Sequence, residues 1–69
     1  GGTLPAVLNA ANEVAVEAFC ESQLSYMGIT ESVSAVMAAH EIVAQPSLEE
    51  ILEADSWARN ATQNVILDA

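Results

Sequence analysis

Apolar residues recur at three- and four-residue spacing along most of the chain, and the pattern reads as three helices. The first is expected over about residues 4–21, with Leu4, Val7, Leu8, Ala11, Ala15, Ala18 and Phe19 along its main face. Thr3 is placed to cap the first free amides. Pro5 sits in the first turn, where a missing N–H costs nothing. Ala6, Ala10, Val14 and Val16 are apolar as well, so this helix is apolar over more than half its circumference. A helix of that kind is buried on more than one side. Asn9 and Asn12 interrupt it, and Asn competes for backbone hydrogen bonds. Two so close together point to backbone partners on a neighbouring segment or to an exposed face, with ligand binding the less favoured reading.

A connection follows at Gln23 to Gly28, in which Leu24, Tyr26 and Met27 are expected to tuck under as a small apolar lid. The second helix is expected over about residues 30–43, capped by Thr30 or Gly28, with Ile29 stapled against Val33 or Ser34. Its apolar face is Ile29, Val33, Val36, Met37, His40 and Val43, and Gln45-Pro46 ends it. The third helix, about residues 48–66, has the clearest start. Ser47 and Glu50 form a capping box, and Ile51, Leu52, Ala54, Ala58, Ala61, Val65 and Ile66 follow at helical spacing. Small residues on its stripe allow close helix approach. No stretch alternates as a strand does, and no repeat is visible. The fold class is therefore all-α.

Length and charge narrow the picture. A chain of 69 residues is one domain at most, and such a domain buries only about 60% of its unfolded surface. Ten acids against one basic residue give a net charge of −9, which disfavours nucleic acid and anionic membrane as partners. No apolar run approaches the ~20 residues needed to span a bilayer, and no basic segment precedes an apolar run, so a soluble chain without a signal peptide is expected. Cys20 is the only cysteine, which excludes an internal disulfide, and it reads as a small buried hydrophobe rather than a nucleophile.

Candidate chemistry is sparse. Glu13, Glu17 and Glu21 are spaced as carboxylates that could ligate a metal, but no histidine joins them at helical spacing, so a solvated acidic ridge is the better reading. His40 is the lone histidine and reads as a structural or surface residue. A small metalloenzyme built on Glu13, Glu17 and His40 has too few ligands. Trp57 is expected to anchor packing with its N–H on a polar partner. Arg59, the only cation, is expected to pair with Asp55 four residues earlier rather than with a phosphate. No glycine-rich phosphate loop is present. No catalytic, cofactor-binding or metal-ligating residue is assigned.

Three motifs together resemble the C-terminal helical domain of the 1-deoxy-D-xylulose 5-phosphate reductoisomerases. They are Gly1 to Phe19, with the specific core Leu-Asn-Ala-Ala-Asn-Glu at Leu8 to Glu13; Ile29-Thr30-Glu31; and Ser47 to Arg59, with Leu-Glu-x-Ile-Leu and Asp-x-Trp-Ala-Arg. The likeness covers the whole chain. It departs at Leu24-Ser25-Tyr26, where family members often carry a basic residue before the aromatic.

The resemblance implies an NADPH-dependent oxidoreductase of the non-mevalonate isoprenoid pathway that uses Mg²⁺ or Mn²⁺ and forms a homodimer. Its Rossmann domain holds NADPH, and its central domain supplies metal ligands and phosphate-binding groups. The helical C-terminal domain, here residues 1–69, braces that architecture and is itself non-catalytic. No cofactor is expected in this chain, and the chain alone is expected to be inactive. The resemblance also implies a four-helix bundle whose first helix precedes Gly1, which makes this chain a three-helix remnant. The absence of an initial Met fits an excised piece. Such a piece should expose an apolar groove, pack on the central domain of its parent, and self-associate in isolation. The alternative is a free-standing acidic helical module that takes an amphipathic helix from a basic partner. The expected compartment is the bacterial cytoplasm, with a plastid as the alternative.

Overall fold

The computed structural model describes residues 2–68. Three helices, α1 (Leu4–Cys20), α2 (Tyr26–Ala39) and α3 (Leu48–Asp68), run up, down and up in a rod of 36 × 18 × 17 Å. There is no strand among the described residues, and the class is all-α as the periodicity predicts. α1 packs most extensively on α3, then on α2.

The seam between them is built from small residues. Val7, Ala10 and Ala11 of α1 meet Val36 of α2 and Ala54 and Ala58 of α3, with Val33, Met37, Ala61 and Val65 packed around them. Alanine at the contact lets helix backbones approach closely. Val7, Val36, Thr3 and Thr62 are the largest fully buried side chains, so the core is thin. Thr62 is tolerated there because its hydroxyl donates to the Ala58 carbonyl at 2.6 Å.

Three helix ends follow local capping chemistry, and the start of α1 and the end of α2 follow tertiary contacts. At α3 the capping box forms in full: the Glu50 amide donates to Ser47 Oγ at 3.1 Å and the Ser47 amide donates to Glu50 Oε1 at 3.0 Å. α2 begins earlier than expected. Ser25, not Thr30 or Gly28, is the cap, and its Oγ accepts from the Gly28 amide at 3.0 Å. Gly28 therefore lies inside the helix, and a Cβ there would meet Leu24 Cδ1 at 2.6 Å, which leaves room only for glycine. Tyr26 and Met27 are therefore helical and exposed, not a buried lid.

α2 also ends earlier, at Ala39 rather than Val43. His40 is extended (φ −77, ψ 136), which takes residues 40–43 across to the start of α1 before Pro46 can act. At the other end α1 closes with Ser22 in the left-handed region (φ 62). The Ser22 amide donates to the Phe19 carbonyl and the Gln23 amide to the Ala18 carbonyl, a Schellman closure usually made by glycine.

Candidate functional site

Two features of the molecule go beyond packing: a clasp at one end, and the outward surface of α1. The clasp centres on Thr3, which holds the N-cap position of α1 but whose hydroxyl, against expectation, makes no bond to the helix's free amides. Its hydroxyl lies 2.7 Å from His40 Nε2 and accepts from the Val43 amide at 3.1 Å, while its own amide donates to the Val43 carbonyl at 3.1 Å. The His40 ring lies against Trp57 with centroids 5.5 Å apart, tilted by 36°. Gly2 makes the approach possible. It has φ +64, and a Cβ there would run into the Val43 carbonyl oxygen.

This site is structural. The Thr3 hydroxyl and the His40 imidazole are within hydrogen-bond reach, but Thr3 is fully buried and cannot meet a substrate. His40 sits in the connection rather than on the face of α2. Trp57 packs through its ring on His40, and no hydrogen bond of its indole N–H is found among the described residues.

The charged candidates spread over the surface. Arg59 pairs with Asp55 at 2.8 Å, as the spacing predicts, and with Glu13 of α1 at 2.7 Å, which the spacing could not reveal. The hydrogen bonds it donates, first to Asp55 and then to Glu13, hold the guanidinium above its ordinary pKa, so it stays charged. Glu13, Glu17 and Glu21 are exposed and do not converge with His40. Among the described residues, no group of three His, Cys, Asp or Glu side chains is arranged to hold a metal. No helix there is long and apolar enough to cross a membrane.

The second feature is the outward arc of α1. Leu8 is 47% exposed and Phe19 40% exposed, so neither enters the core; Ala10 takes their place there. Asn9, Asn12, Val16 and Cys20 lie on the same outer side. Cys20 is thus exposed rather than a buried hydrophobe. Asn9 and Asn12 are exposed. At 100° per residue, Pro5, Leu8, Asn9, Asn12, Val16, Phe19 and Cys20 share one arc without a single charge, in a chain of net −9. Phe19 continues it toward α2 through an edge contact with Tyr26, centroids 5.9 Å apart.

A family model described as the DXP reductoisomerase C-terminal domain matches residues 1–61. The 1-deoxy-D-xylulose 5-phosphate reductoisomerase of Pelotomaculum thermopropionicum is 59% identical over 68 residues, covering 99% of this chain and 18% of that protein. Its counterpart in Thermodesulfovibrio yellowstonii is 54% identical over 66 residues, covering 96% of this chain and 17% of that protein. The Synechococcus sp. enzyme is 48% identical over 69 residues, covering 100% of this chain and 18% of that protein. The chain thus spans less than a fifth of the length of these curated relatives. Its three-helix fold, its Leu8 to Glu13 motif and these matches agree, and the chain belongs to the DXP reductoisomerase C-terminal domain family.

Proposed function

We propose that this chain is the non-catalytic brace of a 1-deoxy-D-xylulose 5-phosphate reductoisomerase, an NADPH- and divalent-metal-dependent enzyme of the bacterial cytoplasm. The observation that carries the reading is the charge-free outer arc of α1. Leu8, Asn12, Val16 and Phe19 face solvent on the side opposite the alanine seam. A stripe of that kind marks a surface made for another protein surface. Exposed Asn9 and Asn12 then supply hydrogen bonds that fix the register of what covers it.

In this reading the cover is the rest of the parent: a fourth bundle helix together with the central domain of a homodimeric enzyme. The chain in isolation self-associates through the same arc. NADPH supplies hydride and the metal polarises the substrate oxygens in such an enzyme. Both groups belong to the other domains in this reading. What these residues do is hold a rigid three-helix wedge, with its clasped end and its seam, against the catalytic part.

Leu8→Asp tests the brace. Leu8 is half exposed in this chain, so the substitution should change the stability of the 69-residue protein by no more than about 0.5 kcal/mol. In the full-length enzyme it should bury a charge and cost several degrees of Tm, with KM for substrate and for NADPH unchanged in the surviving protein. Weaker NADPH binding with no loss of stability would overturn the proposal.

A further inference from the structure

The end of the bundle opposite the clasp carries an open groove between the C-terminal halves of α1 and α3. Val14 and Ala18 of α1 and Ile66 and Leu67 of α3 supply its apolar walls, and Glu17 and Glu21 line it as well. Leu67 is 80% exposed.

The electrostatics of this end are unfavourable as it stands. α1 and α3 run in the same direction and both finish here, each presenting the negative end of its dipole. Neither has a basic residue in its last turn. Glu17 and Glu21 add negative charge where a helix end favours positive charge, and neither has an ion-pair partner among the described residues. The chain cannot relieve this itself, because its single cation, Arg59, is held by Glu13 and Asp55. A second copy has its arginine engaged in the same way and brings no free cation to Glu17 and Glu21, so it is a poor occupant of this groove.

We propose that this groove docks a basic, apolar polypeptide segment. A lysine or arginine head lies between Glu17, Glu21 and the two helix ends, and a neighbouring large apolar side chain rests on Val14, Ala18, Ile66 and Leu67. The long aliphatic stem of either cation suits an apolar wall with an acidic rim. This goes beyond the brace and stands whichever larger protein carries the chain, since it concerns a different surface from the α1 arc.

A synthetic helical peptide with leucine and arginine at three- and four-residue spacing is the probe, titrated into the ¹⁵N-labelled chain. Backbone shifts should concentrate at residues 14–21 and 63–67. Glu17→Gln with Glu21→Gln should weaken binding at least tenfold. The charge-matched pair Glu49→Gln with Glu53→Gln, at the other end of α3, should leave it within twofold. All four glutamates are exposed, so the fold survives either change. A peptide with glutamine for arginine should not bind. Equal weakening by the two glutamate pairs means diffuse attraction to net charge and overturns the proposal, as does the absence of any localised shift.

Discussion

The two ends of this bundle are built on opposite rules. At the clasped end, where α1 and α3 begin, polar groups find partners and charges sit where helix dipoles want them. Thr3 joins His40 and Val43, Ser47 and Glu50 cap each other, and Glu49 and Glu50 occupy the favourable first turn of α3. At the open end, where α1 and α3 finish, Ser22 holds a glycine conformation, Glu17 and Glu21 oppose the local dipole, and Leu67 and Tyr26 face solvent. Large apolar residues are exposed at both ends, Ile42 and Leu48 beside the clasp and Tyr26 and Leu67 opposite, so what separates the ends is the pairing of their polar and charged groups.

The largest expected effect breaks the clasp. Thr3→Val keeps the shape but leaves the Val43 amide and His40 Nε2 without the hydroxyl. Chemical denaturation should show a loss of about 1–3 kcal/mol, the range for a buried polar group left unpaired. Thr3→Ser should recover most of it. A Thr3→Val protein as stable as the parent chain would mean the clasp is not what closes this end. A smaller effect, of opposite sign, belongs to the open end. Ser22→Gly relieves a left-handed serine and should stabilise the chain by about 0.5–1 kcal/mol. A destabilised Ser22→Gly would show that the serine side chain makes a contact of its own.

What could be read in the sequence was local. The start of α1, the Ser47–Glu50 box and the Asp55–Arg59 pair all involve residues within four positions of one another, and periodicity or capping chemistry reveals them. The clasp joins Thr3 to His40 and Val43, and Arg59 reaches Glu13; these separations of 37, 40 and 46 residues leave no mark in local spacing. The clasp also explains why α2 stops short of the end its pattern predicts: that end is set by the extended run from His40 to Thr3 rather than by Pro46, while its start is set by the local Ser25 cap on the Gly28 amide. Gly2 before Thr3 was the one available signal for a tight approach, since glycine before a helix often serves a positive φ. Leu8, Phe19 and Cys20 read as inward on apolarity alone. With alanines able to fill the seam, the larger residues turn outward, and periodicity cannot rank two apolar faces of one helix.

The central claim is that the outer arc of α1 is covered in the parent enzyme, and Cys20 reports on it directly. The thiol is exposed in this chain and lies on that arc. Timed maleimide labelling, with mass spectrometry to locate the adduct, compares the isolated chain with the full-length protein under the same native conditions. The account predicts rapid modification of Cys20 in the 69-residue chain at low concentration and at least tenfold slower modification in the intact enzyme. Equal rates in the two would leave the arc uncovered and contradict the brace.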